Sequence, residues 1–568
     1  MSEKKTNVIQ FKKTLDEISA YANKKCDEGD YSAALYALYF YTKRKNCSRN
    51  AYAHMADIYS EMGFYDLAID KWNEFLSSAP EEYYADGFNG LGANYYFKGD
   101  REKATYYFDR QFECPGAESC LYNDVLDEFM NDREEYDDDF RSQFHIAYSA
   151  DGKSKYEEYL EAARKCNAGA EYEKAVKNAE KAAEYNSIKG DALWEKSYAE
   201  FSLNDNEAAK KDLELALAEL GDKITVREMT LPVYLYSTLC DDEKCREYLG
   251  KIAASATEGS DERYMQVATL YDYEDEESAV KLLDKYLPEF PFERGLLHLK
   301  GVLEYNRGDY SRARELFAKE YIYTLNPNAL YYKKLADKAE SGKVEIKKIG
   351  VSFDIPTDVA EERLSVLLRL FRREIKIGDV GADTVREYVD WAIASEDTAL
   401  QTAAGLICVQ NGETFKRYLS KKLVLGKLSG EIKRKYVSML CDFGFYGEIG
   451  MTYNGYFKKI IIDMPCFAQR GYEQFTAAYS YALGLCTMLF DCDYAKLYGG
   501  AENFQRLLIR NKAITKAKDV CSLACAIFVY SDAVKTSANA KKMLYKFFNA
   551  KKENVDELLS YADEGKKI

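Results

Sequence analysis

Histidines, cysteines and carboxylates are the groups in this chain that could do chemistry, and metal or nucleophilic chemistry would need them to converge. The 568 residues hold only 3 histidines and 14 cysteines. His54, His145 and His298 stand far apart along the chain, which argues against a triad or a metal cluster, and His54 reads as an exposed helix histidine. Cys521 and Cys525 are four apart and share one face of an apolar helix. Cys486 and Cys492 are spaced too widely for a zinc knuckle. The cysteines therefore read as buried small thiols. The acidic run REEYDDDF at 133–140 lacks the alternating ligands and the glycine of a calcium loop. A phosphate-binding glycine loop ending in Lys-Ser or Lys-Thr is missing, as is a G-x-S-x-G elbow. These residues lead to the expectation of no enzyme, no cofactor and no metal.

Composition points to helices and to a soluble protein. Prolines number 8 and tyrosines 49, and net charge is −16. That charge is uneven: 45 basic and 67 acidic residues lie before Lys343, and 34 and 28 from there on. The acidic first part would repel nucleic-acid phosphates. The N-terminus MSEKKTNVIQFKK has no apolar signal core. The most apolar run, VCSLACAIFVY at 520–530, is too short to cross a bilayer. A cytoplasmic protein with reduced thiols is expected.

One pattern is written repeatedly. In the stretch 50–80, Met55, Ala56 and Tyr59 share one helical face, and Ala68, Trp72 and Phe75 share another. Gly63 between them permits a left-handed turn, and Pro80 ends the second helix. The unit is a helical hairpin with small residues at the crossing and aromatics in the gaps. A second copy carries Phe88, Leu91, Gly92, Tyr95, Gly99, Ala104 and Phe108, and an earlier one carries Tyr21, Ala22, Gly29, Ala34, Leu38 and Tyr41. The small residue recurs at a step of 34, from Ala22 to Ala56, from Ala163 to Ser197 and from Val267 to Gly301. In residue types and step the stretch resembles the tetratricopeptide (TPR) repeat family.

That resemblance implies an all-α fold: a right-handed superhelical solenoid over 1–341. It would hold about nine helical hairpins, two of them degenerate near 118–149 and 225–255, plus a closing helix. It also implies a concave groove lined by positions two, five, nine, twelve and thirteen of each unit. In the first units these are Asp16, Asn23, Asn50, Asp57, Ser60, Asp86, Asn89 and Tyr96. Asn side chains donate and accept at once, which suits a peptide backbone. The family's clamp for acidic tails is not matched, because Ser19, His54, Asp86 and Gly90 stand where its residues would be. Asp86 would repel an acidic tail, so a basic or neutral partner is expected in this groove.

Beyond Ser341 the fixed step stops. The β-branched segment at 342–356 reads as a linker, followed by a second, irregular helical domain at 357–568. Leu364, Leu367, Leu368 and Phe371 are expected on one buried face of its first helix. Near 446–463, Asn454–Gly455 between strand formers predicts a short β-hairpin. It reads either as a flap packed on helices or as an edge open to a partner strand. Thr536, Val555, Lys541, Lys542, Lys546, Lys551 and Lys552 allow a helix-turn-helix-like contact with phosphate. The reading is a protein-interaction scaffold or adaptor that binds a peptide or protein in the groove, with no membrane segment and nucleic acid not expected. The alternative is a peptide-responsive regulator whose C-terminal domain contacts DNA or another effector.

Overall fold

The computed structural model describes residues 14–44, 47–115, 120–122, 124–126, 155–185, 189–221, 224–257, 259–273, 275–445, 447–453, 455–462, 473–489, 494–513, 519–533, 544–545, 548 and 550–563. Among the described residues the fold is all-α apart from one two-stranded sheet. His145, the acidic run at 133–140, Thr536, Lys541, Lys542 and Lys546 lie outside the described residues, as does most of the copy expected at 118–149.

Six helices open the chain as three hairpins: α1 (Leu15–Asp27) with α2 (Tyr31–Thr42), α3 (Asn50–Glu61) with α4 (Tyr65–Ser78), and α5 (Tyr84–Phe97) with α6 (Arg101–Phe112). Five more follow: α7 (Lys155–Ala168) with α8 (Tyr172–Glu184), α9 (Gly190–Ser202) with α10 (Asn206–Leu220), α11 (Val226–Thr238) with α12 (Asp242–Ala254), α13 (Ser260–Asp272) with α14 (Glu276–Glu289), and α15 (Arg294–Asn306) with α16 (Tyr310–Thr324). The weakly patterned copy at 225–255 is thus the hairpin α11/α12. A single helix, α17 (Pro327–Glu340), closes the series.

The hairpins share a local logic. At most of the tight turns one residue is left-handed and the next caps the second helix. Gly29, Gly99 and Gly308 take positive φ, and Asn204 and Cys240 hold the same conformation without being glycine. Asp30, Asp100, Asp205, Asp241 and Asp309 then each accept the backbone N–H three residues on, satisfying one of the helix's orphan donors. Where helices cross, small residues admit aromatics. A Cβ at Gly301 would stand 2.6 Å from the Phe317 ring, so that ring occupies the space only glycine leaves. Trp72 is buried in the same way against Gly90 of the next hairpin.

After α17 come α18 (Thr357–Phe371), α19 (Ala382–Ala394), α20 (Thr398–Gln410), α21 (Glu413–Ser420) and α22 (Gly430–Asp442). The antiparallel strands β1 (Gly447–Tyr453) and β2 (Tyr456–Ile462) follow, in a register that pairs Tyr453 with Tyr456. Helices α23 (Glu473–Leu489), α24 (Tyr494–Arg510), α25 (Val520–Ser531) and α26 (Lys552–Asp563) complete the chain. One core cluster runs from Leu367 through Tyr436, Ile449 and Phe504 to Leu558. The buried line of α18 differs from expectation. Arg363, Leu367 and Leu370 are buried, whereas Leu364, Leu368 and Phe371 stay more than a third exposed. The core takes up the neighbouring stripe because Arg363 turns inward onto Glu387, 3.2 Å away.

Contacts divide the chain into a split unit, 1–147 with 356–568, and a middle unit, 148–355. The physical reason lies at the β-hairpin. Its turn carbonyl, at Gly455, accepts from the hydroxyls of Tyr95 and Tyr107. The Phe457 N–H donates to Tyr107, Tyr456 donates to Glu102, and the Lys459 ammonium donates to the Ala79 carbonyl. A Cβ at Gly450 would collide with the Ser77 side chain, so the strand backbone lies directly against that side chain of α4. The hairpin is therefore a flap packed on the first repeats. Asn454 lies outside the described residues, but Gly455 has the positive φ that a tight turn requires.

Candidate peptide-binding faces

The eight groove residues expected in the first hairpins fall into two groups. Asp16, Asn23 and Asn50 are exposed on α1 and α3, and Asp86 and Tyr96 are half-buried on α5. Asp57, Ser60 and Asn89 are brought together by the chain itself. The Tyr122 hydroxyl donates to Asp57 at 3.0 Å, and the Tyr122 N–H donates to Asn89 Oδ1 at 2.6 Å. Asn89 in turn donates to Gln111 and is fully buried. The Tyr122 ring stands edge-on to Trp72. Burial pushes the Asp57 carboxyl up to about 7, against the opposing pull of the Tyr122 hydrogen bond. The Ser60 hydroxyl also donates to the Tyr122 oxygen, so the segment around Tyr122 already uses three of the eight. His54 is half-buried rather than exposed, and Nδ1 lies 3.2 Å from the Ser19 hydroxyl. Burial lowers the His54 pKa.

The middle unit presents a second face. Each first helix of a hairpin touches the next, from α7 through α9, α11 and α13 to α15, so these helices form one layer. Positions two, five, nine, twelve and thirteen of the repeat place Tyr264, His298 and Asn306 on that layer. Residues 349–355 lie across it with alternating burial. Ile349, Val351, Phe353 and Ile355 point inward, and Gly350, Ser352 and Asp354 are exposed, the two-residue period of an extended chain.

Side chains of the helices read the backbone of this strap. Asn306 donates from Nδ2 to the Ile349 carbonyl and accepts the Ile349 N–H at Oδ1, both at 2.9 Å. The Tyr264 hydroxyl donates to the Val351 carbonyl at 2.9 Å. The Ser352 carbonyl accepts from Tyr332 at 3.1 Å and lies 2.9 Å from His298 Nε2. A carbonyl only accepts, so Nε2 carries a hydrogen there. His298 Nδ1 faces Glu320 Oε2 at 2.9 Å, and Arg294 stands 3.3 Å from the other carboxylate oxygen. The single Tyr332 hydroxyl hydrogen is shared between the Ser352 carbonyl and the Asp354 carbonyl. The Phe353 ring stacks on Tyr264 with centroids 4.4 Å apart, sits 5.0 Å from His298, and lies under the Arg294 guanidinium at 4.1 Å.

Nearer the start of the layer, Arg164, Asn167, Ala168, Trp194, Glu195, Tyr198 and Arg227 line an open depression. Glu195 is 3% exposed and receives Arg164 Nε at 3.1 Å and Arg227 Nη2 at 2.7 Å on one oxygen, and Asn167 Nδ2 at 2.9 Å on the other. Asn167 Oδ1 is buried with no hydrogen-bond partner. Arg227 lies 4.9 Å from the Trp194 ring, which stacks on Tyr198. Arg164, Asn167, Trp194, Tyr198 and Arg227 occupy positions nine, twelve, five, nine and two of their repeats. The position rule that picked residues on the first hairpins would have found these had it been carried along the chain.

Among the described residues there is no group of three or more metal-ligating side chains, and no helix is long and apolar enough to cross a membrane. No family model matches this chain, and no curated protein does. Solved structures similar to this chain include two from yeast. The TPR2AB-domain:pHSP90-complex of yeast Sti1 is 14% identical, covering 47% of this chain and 95% of that one with a TM-score of 0.18. The yeast Tom70 crystal structure is 11% identical, covering 94% of each chain with a TM-score of 0.30. TM-scores this low carry nothing about function, and the helical-hairpin architecture stands on the chain's own packing.

Proposed function

We propose that this protein is a protein-interaction scaffold that receives a peptide segment of a partner on the first-helix layer of its middle unit, at the depression between α7, α9 and α11. The observation that supports this most directly is the strap: on the same layer, side chains at repeat positions five and thirteen hold an extended chain through its main-chain groups. The depression offers matching chemistry. Asn167 Oδ1 is an orphaned acceptor that a peptide N–H would satisfy. Trp194 and Tyr198 supply aromatic contact. Arg164 and Arg227 outnumber the one carboxylate they share, so an acidic side chain on the peptide is favoured there. In the split unit, Asp16, Asn23, Asn50, Asp86 and Tyr96 are proposed as a smaller patch for a basic or neutral segment. Ten of the described cysteines are free thiols, in keeping with a cytoplasmic setting.

The test is selection of binders from a displayed random peptide library against the full chain, followed by fluorescence anisotropy on synthetic copies. Arg227→Glu and Tyr198→Ala should each weaken binding at least tenfold, whereas Lys251→Glu on α12 should leave it unchanged. Selected peptides indifferent to the first two substitutions, or no enrichment at all, would remove the reading.

A further inference from the structure

We infer that the face formed by α13, α15 and α17 is a peptide-binding site occupied in cis by residues 349–355, and that it takes in trans an extended segment of a partner protein with the same chemistry. That chemistry is an aromatic side chain preceded, two and four residues earlier, by β-branched apolar ones. The inference rests on the scaffold reading but concerns other residues of the layer.

Three observations carry it. The first is the kind of bond made. Asn306 reads both the N–H and the carbonyl of Ile349, and Tyr264, His298 and Tyr332 reach the carbonyls of Val351 and Ser352. None of these contacts depends on which side chain the bound chain carries, so they fit any extended peptide. The second is selectivity. Phe353 sits between Tyr264, His298 and Arg294, a slot of two ring faces and a guanidinium that suits a π-system. Val351 packs against the core cluster of α11 to α15, and Ile349 against that of α15 to α17. The third is the state of the strap itself. Among the described residues, no main-chain to main-chain hydrogen bond involves residues 344–355. Within the strap the Asp354 N–H donates to the Ser352 hydroxyl at 3.0 Å; the other main-chain bonds of the strap are made by the face, as for a bound peptide.

The tether sets the rule of exchange. A segment joined directly to α17 meets its site at an effective concentration on the order of millimolar. A free ligand therefore sees an affinity reduced by the fraction of time the strap is away. Weakening the strap without touching the face should expose the site.

The experiment uses the full chain and a fluorescein-labelled synthetic peptide of residues 345–356. The double variant Val351→Ala with Phe353→Ala should bind this peptide at least ten times more tightly than the unaltered chain does. Adding Asn306→Ala should abolish the gain, and so should Phe353→Ala in the peptide. No binding to a double variant whose circular dichroism is unchanged overturns the inference. So does equal binding by both chains, or a gain that survives Asn306→Ala. Concentration-dependent dimers of the unaltered chain that Phe353→Ala removes would assign the face to a second copy and overturn the partner. If the double variant does not fold, hydrogen exchange on the unaltered chain decides. Amides 349–354 should exchange at least tenfold faster than the core of α15, and faster again with excess peptide; protection equal to that core, or no response to peptide, overturns the inference. Strap-peptide binding alongside library peptides indifferent to Arg227→Glu would sink the depression reading alone. The reverse result would sink this one alone.

Discussion

The β-hairpin at 447–462 and the strap at 349–355 are both non-helical segments laid on helical hairpins, yet they are held in opposite ways. The hairpin satisfies its own backbone through its ladder. What it offers the helices is a turn carbonyl, one strand N–H, the Tyr456 hydroxyl, the Lys459 ammonium and apolar side chains, and it has become part of a continuous core. The strap has no ladder, so each polar backbone group it buries must find a side chain of the face. The first arrangement is a permanent joint, and the second has the form of a ligand. Self-satisfied backbone makes a segment structural, and borrowed satisfaction makes it exchangeable.

The sharpest way to break that contrast is at the joint. Tyr107 is fully buried and bridges Gly455 and Phe457, so Tyr107→Ala should destabilise the split unit by about 3–5 kcal/mol. Urea unfolding followed by hydrogen exchange at 447–462 should show the loss there, with the middle unit unmoved. Equal loss in the middle unit would mean the two segments are not separately held.

Asn306→Ala should act locally. Leaving the Ile349 N–H and carbonyl without partners costs about 1–3 kcal/mol. The Ile349 amide should then exchange roughly five- to a hundredfold faster, at 1.4 kcal/mol per tenfold, while the helices around it keep their rates. A drop in the unfolding midpoint of the whole middle unit would put the strap in the same class as the hairpin.

The joint also carries a pH signature. Gly426 N–H donates to the buried Asp70 carboxylate, and the buried Lys433 ammonium donates to Thr452 of β1. Burial raises Asp70 from the ordinary 3.8 to about 6 and lowers Lys433 from 10.5 to about 8. Between 3.8 and about 6 the folded chain holds a proton the unfolded chain has released, so stability falls as pH rises. Between about 8 and 10.5 the unfolded chain holds the extra proton, so stability climbs with pH. Asp70→Asn should chiefly flatten the acid limb of the urea midpoint against pH, and Lys433→Met chiefly the alkaline limb, with a smaller shift of the other limb because the two charges attract. A strap variant such as Phe353→Ala should change neither.

The smallest effect expected is at Tyr122, a third intrachain contact. Its hydroxyl holds the Asp57 carboxyl below where burial alone would put it. In Tyr122→Phe the Asp57 titration, followed by carbon-detected NMR, should move upward from about 7. A downward move would show that the phenol is not its donor.

Much of the fold was legible because helical hairpins are local: phase, turn glycines and crossing residues all sit within one step of 34. The Asn-Gly pair foretold the β-hairpin for the same reason. What the hairpin packs on could not be read, since Tyr107 and Phe457 are separated by 350 positions and no short-range pattern records such a meeting. The strap's alternation of Ile349, Val351, Phe353 and Ile355 was present in the letters. It announces an extended chain with one buried side but not the side chains that bury it. The groove residues show a different failure. Position in the repeat named Asp57 and Asn89, but Tyr122, 33 positions beyond Asn89, had already taken them.

Because the first three hairpins are completed by strands near residue 455, their flank stays uncovered on the ribosome while the intervening chain is made. At the usual pace of translation, roughly 5–20 residues per second, some 350 residues correspond to about 20–70 seconds of waiting. During that interval Tyr95, Tyr107 and the outer side of α4 are open to solvent, to chaperones or to another nascent chain. The strands around residue 455 are what end that exposure.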